Sequence, residues 1–179
     1  YGFLNKFHPD KLIKYIPDRY KEGYGVSDLG VQTAIDQQVG LVITLDCGIK
    51  AVQQIQKLDD AGINTIICDH HLPGTILPNA IILDPKQNDC DYPFKELCGV
   101  GVGFKFMQGF CEQNGVELKK LYPYLDLVAV GTSADIVPII DENRILTHYG
   151  LQQINRNPRP GIKALILSLI HISEPTRRS

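Results

Sequence analysis

Two short apolar runs joined by a helical pattern dominate the first half of the chain. Leu41 to Leu45 and Ile63 to Cys68 are continuous runs with β-branched residues, which is typical of strands buried on both faces. Between them, residues 49–61 carry apolar side chains at helical spacing and end at Gly62. Ala80 to Leu83 predicts a third, shorter strand. Strands that alternate with helices predict a parallel sheet with right-handed crossovers.

The flanking patterns predict one more strand and several helices. Lys11 to Pro17 is interpreted as a short strand, and Ser27 as the N-cap of a helix that ends near Gln38. From Gly99 onward the pattern is helical. The predicted helices cover residues 100–114, 118–132 and 143–155, and a last one begins near Ile162. The fold class is therefore α/β, a parallel sheet flanked by helices with a helical C-terminal part.

Composition and charge narrow the function classes. The 179 residues are 44% hydrophobic and 21% charged, which fits one globular domain. The formal net charge is −2, so any attraction of nucleic acid must come from local basic side chains or bound metal. The most apolar stretch, residues 125–140, is broken by Asp126, Asp135 and Pro138 and predicts no membrane span. The five cysteines form no C-x-x-C pair, which favours reduced thiols in the cytoplasm.

Candidate chemistry lies where the two buried strands end. Asp46 follows the first strand and Asp69 the second, and parallel strands deliver their carboxyl ends to one edge of the sheet. Each aspartate alone could be a helix cap. His70 and His71 follow Asp69 directly, and imidazole beside carboxylate is a ligand set for a divalent transition metal. Together these four residues favour a metal site, although one histidine could cap the turn and the other could be exposed.

A third carboxylate lies where a later apolar helix breaks. Asp135 is flanked by Ala134 and Ile136, and a carboxylate in apolar surroundings is costly unless it is paired or bound to metal. It could equally be the N-cap of the following turn.

These residues occur in motifs that resemble the DHH phosphoesterase superfamily. Residues 45–49 (LDCGI) resemble its second motif, residues 68–71 (CDHH) its third and residues 134–138 (ADIVP) its fourth. Other segments resemble the RecJ exonuclease branch. They are residues 15–25 (YIPDRYKEGYG), 83–86 (LDPK), 98–106 (CGVGVGFKF), Asn143 with Arg144, and 157–161 (NPRPG).

The resemblance implies a role for each candidate. Asp46, His70 and Asp135 would bind metal, His71 would contact the scissile phosphate, and Asp69 would orient the histidine pair. The ions would be Mn²⁺ or Mg²⁺, usually as a pair that activates a water and stabilises both the entering and the leaving oxygen. The implied activity is a 5′→3′ exonuclease that hydrolyses single-stranded DNA to 5′-mononucleotides in DNA repair and recombination. It also implies a monomer.

The family's first motif, an Asp-x-Asp pair, has no match, and the chain begins at Tyr1 without methionine. We therefore expect residues 1–167 to be a partial DHH domain that binds metal weakly or singly, and expect this chain alone to be inactive or nearly so. Residues 168–179 do not fit the family and are interpreted as a non-native tail.

Three basic residues are the candidates for nucleic-acid binding: Arg19, Lys105 and Arg144. Tyr20 and Tyr24 could stack on bases, but packing is the favoured interpretation. The glycines at 99, 101 and 103 do not follow a buried strand, so helix packing is favoured over a dinucleotide site.

Two alternatives stay open at this point. The chain could belong to another DHH phosphoesterase that cleaves oligonucleotides, cyclic dinucleotides or polyphosphate. It could also be a catalytically inactive nucleic-acid-binding module.

Overall fold

The structure, a computed structural model of the chain, describes residues 1–173, with side chains described as far as residue 169. Three strands and six α-helices are present in this part. The strands are β1 (Leu41–Leu45), β2 (Asn64–Cys68) and β3 (Ile81–Leu83). The helices are α1 (Asp28–Asp36), α2 (Val52–Asp60), α3 (Gly99–Gln113), α4 (Leu125–Ala134), α5 (Asp141–Arg156) and α6 (Pro160–Ser173). Two 3₁₀ helices cover Leu4–Lys6 and Leu118–Tyr124.

The three strands form one parallel sheet in the order β1-β2-β3, which confirms the predicted α/β class. The register pairs Leu45 with Cys68 and Cys68 with Leu83, so all three strands end at the same level. The ladder continues one residue further, because the amide of Asp46 donates to the carbonyl of Cys68 at 2.8 Å. Likewise, the amide of Asp69 donates to the carbonyl of Leu83 at 3.1 Å. The residues that follow the strands therefore lie side by side at one edge.

The sheet separates two apolar clusters. One contains α3, α4 and α5 side chains and reaches the sheet through Ile43, Ile66 and Leu83. The other contains side chains of α1 and α2 with Ile67 of β2. Successive side chains of a strand point to opposite faces of the sheet, so the two clusters cover its two faces. The prediction that β1 is buried on both faces is only partly right, because Leu41 and Leu45 are about half exposed at the sheet edge (47% and 53%).

Two predicted elements differ from the structure. Lys11 to Pro17 contains no strand, because among residues 1–173 no other strand pairs with it. The predicted helix 118–132 is divided into the second 3₁₀ helix and α4. Pro123 lies at this division, and proline lacks the amide hydrogen that a continuous α-helix needs. The predicted N-cap Ser27 is confirmed, since its hydroxyl accepts the amide of Gly30.

Three further sequence predictions can be compared with the structure: the tail, the thiols and the absence of a membrane span. Helix α6 continues to Ser173 and so includes the first residues of the predicted non-native tail, whereas residues 174–179 lie outside the described part. All five cysteines are free thiols, as the sequence predicted. Within residues 1–173, no helix combines the length and the apolar character that a membrane span requires.

Candidate metal centre

Asp46 lies in a tight turn, residues 46–48, where the chain leaves the sheet after β1. This turn is called the elbow below. Its φ of +63° is in the left-handed region, which is uncommon for residues other than glycine. Gly48 follows with a φ of +116°, and a Cβ there would come within 2.7 Å of the Thr44 hydroxyl. That hydroxyl donates to the carbonyl of Cys47 at 2.7 Å. The turn is therefore closed by local contacts and presents the exposed Asp46 carboxylate at the sheet edge.

Asp69 is buried and holds three parts of the site together. Its Oδ2 accepts the amide of Ile49 at 2.9 Å, which connects β2 to the elbow that carries Asp46. Its Oδ1 accepts the amides of His70 and His71 and the ring Nδ1–H of His71, the last at 2.6 Å. Burial alone would raise the pKa of Asp69, but these donors lower it below its usual range. Asp69 is thus an ionised support for its neighbours.

His70 lies between two carboxylates that come from distant parts of the chain. Its Nε2 is 3.2 Å from Asp46 Oδ1 and 3.4 Å from Asp135 Oδ2. The hydrogen bond to Asp46, followed by the charge of Asp135, raises the pKa of His70 against the opposing effect of burial. Asp135 caps the C-terminal end of α4, and its Oδ1 accepts the amide of Ile136. It is therefore not the helix N-cap that the sequence offered as an alternative.

His71 is oriented by Asp69 and otherwise exposed. Because its Nδ1 is bonded to Asp69, its Nε2 remains free to face a ligand. Ligand atoms of Asp46, His70 and His71 all lie within 4.8 Å of one another. Asp135 is not part of this cluster of three but joins it through its 3.4 Å contact with His70 Nε2, and Asp69 supports the cluster through His71.

The donor set suits a hard or borderline divalent cation. Two carboxylates and one imidazole nitrogen converge, and oxygen with imidazole is the combination that manganese and related ions accept. The neighbouring thiol of Cys47 is not among the clustered ligand atoms, and burial, followed by the charges of Asp69 and Asp46, raises its pKa to about 11. These features fit a metal such as Mn²⁺ held by Asp46, His70 and Asp135.

One residue of this edge, Asp84, belongs to the 83–86 motif but was given no role at the site by the sequence interpretation. Asp84 follows β3 as Asp46 follows β1 and Asp69 follows β2, and it is only 2% exposed. Burial raises its pKa, and the charge of Asp69 acts in the same direction, whereas His70 and Lys86 oppose them. The signal was present in the sequence, since an apolar run, residues 80–83, leads directly into an aspartate.

The three basic candidates differ in their surroundings. Arg19 is exposed and its guanidinium lies 4.6 Å from the centre of the Tyr24 ring. Arg144 is also exposed, and within residues 1–173 neither arginine forms an ion pair. Lys105 instead pairs with Glu142 at 2.6 Å, and Glu142 also accepts the hydroxyl of Tyr92. A phosphate contact by Lys105 would have to compete with that ion pair.

The two tyrosines beside Arg19 are exposed, not packed. Tyr20 is 99% exposed and Tyr24 82%, so the sequence-based preference for packing was wrong. The loop that carries them is fixed by Glu22, whose carboxylate accepts the hydroxyls of Tyr15 and Ser27 and the amide of Asp18. The aromatic rings are therefore presented on an ordered loop.

Gly99 allows Asp46 to occupy its position. A Cβ at Gly99 would lie 2.0 Å from Asp46 Oδ1, so the start of α3 and the carboxylate approach each other directly. We expect Gly99→Ala to displace the carboxylate and to weaken Mn²⁺ binding by about tenfold or more. The measurement is the amplitude of the free Mn²⁺ signal in electron paramagnetic resonance during titration.

Gly103→Ala is the matched control for this prediction. It lies in the same helix, and its added Cβ would meet Leu45 Cδ2 at an ordinary 3.5 Å. We expect unchanged Mn²⁺ affinity in this variant. Equal affinities in the two alanine variants, both folded, would contradict the proposed role of Gly99.

Comparison with known proteins places this geometry in context. The DHH family, N-terminal domain, matches residues 1–132. The chain is 45% identical to the single-stranded-DNA-specific exonuclease RecJ of Bacillus subtilis over 153 residues, which are 85% of this chain and 19% of that protein. It is 41% identical to the RecJ of Escherichia coli over 162 residues, which are 84% of this chain and 28% of that protein.

Solved structures agree with these sequence matches. A crystal structure of exonuclease RecJ bound to manganese superimposes with a TM-score of 0.83 at 32% identity, covering 94% of this chain and 42% of that one. RecJ from Thermus thermophilus in complex with Mn²⁺ gives a TM-score of 0.69 at 31% identity, covering 77% of this chain and 20% of that one. By sequence, the chain spans less than a third of the length of the two curated relatives from Bacillus subtilis and Escherichia coli.

Proposed function

Because this chain belongs to the DHH family, in its RecJ branch, we propose that it carries the metal centre of an exonuclease that hydrolyses phosphodiester bonds of single-stranded DNA. The observation that carries this proposal is the position of His70 Nε2, within 3.4 Å of carboxylates from two separate elements. The RecJ relatives are exonucleases by name, and two solved RecJ structures hold manganese.

Asp46, His70 and Asp135 would hold the metal, with Mn²⁺ or Mg²⁺ as the ion and a two-ion site in the complete family arrangement. The metal would supply Lewis-acid stabilisation of the negative charge that develops on the phosphoryl oxygens. The carboxylates of Asp46 and Asp135 give the site the negative charge that attracts a divalent cation. A hydrogen-bonding network under the site reduces the reorganisation needed when the cation binds.

His71 is the residue we propose to contact the scissile phosphate. Its Nδ1–H is held by the buried carboxylate of Asp69, so its exposed Nε2 is directed away from the sheet. This nitrogen would face a phosphoryl oxygen of the substrate, with the ring orientation fixed by the contact between Nδ1 and Asp69. Asp69 acts as a positioning residue because its other oxygen fixes the elbow of Asp46.

We propose that exposed basic and aromatic side chains hold the single-stranded DNA. The ordered loop 15–25 offers Arg19 for a phosphate and the exposed rings of Tyr20 and Tyr24 for stacking with bases. Arg144 is a second candidate for a phosphate contact, and Lys105 a third if Glu142 releases it. We propose 5′→3′ polarity, release of 5′-mononucleotides, and a role in DNA repair and recombination in the cytoplasm as a monomer.

The test is an assay on 5′-labelled single-stranded DNA with Mn²⁺, run on this chain and on the longest reading frame that contains it. We expect mononucleotide release from the active form, and we expect His70→Ala to abolish it and to weaken Mn²⁺ binding. His148→Ala is the matched control, because this exposed histidine of α5 bonds to Gln152 and to no residue of the metal centre.

Two outcomes would overturn the proposal. Mn²⁺ binding with no cleavage of single-stranded DNA in either form would favour another phosphoester substrate, such as oligonucleotides or cyclic dinucleotides. DNA binding without Mn²⁺ binding would favour an inactive nucleic-acid-binding module.

A further inference from the structure

We propose that Asp84 is a positioning residue for His70, whose ring Nδ1–H its carboxylate accepts when Nε2 is turned to the metal. This inference rests on the proposed function, because it assigns a role relative to the metal held by Asp46, His70 and Asp135. It adds a residue that neither the DHH triplet nor the cluster of ligand atoms contains.

The sheet register brings Asp84 next to the histidine pair. Cys68 of β2 pairs with Leu83 of β3, and the amide of Asp69 donates to the carbonyl of Leu83. Asp84 is the residue that directly follows β3. Adjacent strands lie about 4.8 Å apart, so the Asp84 side chain starts one strand away from the backbone of Asp69 and His70.

The hydrogen-bonding groups of the two side chains are complementary. Nδ1 of His70 is buried and has no partner among the described residues, while Nε2 faces Asp46 and Asp135. Oδ2 of Asp84 is likewise buried without a partner, although its Oδ1 accepts the amide of Lys86 at 2.8 Å. A buried donor or acceptor without a partner costs about 1–3 kcal/mol, so a hydrogen bond between these two groups would be favourable.

The chemistry of metal-binding imidazoles explains what this contact does. A histidine that binds metal through one nitrogen generally donates its other N–H to a carboxylate, carbonyl or water, which fixes the ring orientation and the tautomer. Asp69 does not serve His70 in this way, because its ring contact is to His71. Of the strand-terminal aspartates, Asp46 faces Nε2 of His70, and this leaves Asp84 for Nδ1.

The test compares substitutions that keep or remove the acceptor at nearly constant volume. Asp84→Asn retains a carbonyl oxygen that can accept Nδ1–H, whereas Asp84→Leu does not. We expect Asp84→Leu to weaken Mn²⁺ binding about 10- to 100-fold and Asp84→Asn to restore most of the affinity. Affinity is read from the free Mn²⁺ signal in electron paramagnetic resonance, with circular dichroism to establish that each chain is folded. Asp84→Ala replaces Asp84→Leu if the leucine variant does not fold.

A double-substitution cycle distinguishes positioning of His70 from a general structural role. In a His70→Ala background, removing the Asp84 acceptor should cause no further loss of Mn²⁺ affinity. Equal losses in both backgrounds, or full affinity in folded Asp84→Leu, would overturn the inference about Asp84. If His70→Ala itself left Mn²⁺ affinity unchanged, the metal site of the proposed function would be wrong as well.

Discussion

Asp69→Ala should destabilise the chain by at least about 3 kcal/mol and lower its Mn²⁺ affinity by more than tenfold. The carboxylate is 1% exposed and accepts hydrogen bonds from the amides of Ile49, His70 and His71 and from the ring of His71. Alanine would leave buried donors without partners and release the elbow of Asp46. Urea denaturation gives the first quantity and Mn²⁺ titration the second.

Asp69→Asn is the control for this substitution, because it keeps the volume and removes the charge. It should be less damaging than alanine, since one amide oxygen can still accept hydrogen bonds. A folded Asp69→Ala chain with the stability and Mn²⁺ affinity of the unsubstituted protein would contradict the role of Asp69 as the support of the site.

The same residue gives a pH dependence with a definite sign. The pKa of Asp69 is lowered on folding, so the stability that its ionised form contributes is present above its usual pKa of about 4. That contribution is lost as the pH falls from there through the lower folded pKa. The difference in free energy of unfolding between the unsubstituted chain and Asp69→Asn should therefore be constant from about pH 5 to 7 and shrink below about pH 4.

Arg159→Ala should cost about 3 kcal/mol of stability, because it leaves a buried carboxylate without its partner. Asp126 is 1% exposed, and Arg159 binds it through two nitrogens at 2.6 and 2.7 Å. The guanidinium also donates to the carbonyl of Pro123 and lies 5.5 Å from the centre of the Tyr124 ring. It thereby fastens the segment before α6 to the start of α4, which is the helix that ends in Asp135.

Two further variants separate this ion pair from ordinary surface charge. Arg159→Lys keeps the charge but cannot form both hydrogen bonds, so it should lose part of the stability. Lys119→Ala removes an exposed partner of Glu117 and should change the free energy of unfolding by no more than about 0.5 kcal/mol. Thermal or urea unfolding checks all three. Equal effects of Arg159→Ala and Lys119→Ala would contradict this account.

Much of the fold could be predicted because its signals are local. The runs 41–45, 63–68 and 80–83 became the three strands, since β-branched apolar residues suit a covered parallel sheet. Asp46 and Asp69 were predicted to share an edge from strand order alone, and the register confirms that the strands end together. Lys11 to Pro17 failed because a strand depends on a partner, which its own residues do not reveal.

The sequence determined the donor atoms of the candidate site, because aspartates directly follow two predicted strands and the histidine pair directly follows Asp69. Only the tertiary structure decided which donors meet. Asp135 reaches His70 Nε2 from the end of α4, Lys105 is paired with Glu142, and Arg159 is held by Asp126. Such contacts join residues far apart in the chain, and their geometry follows from how the helices pack on the sheet.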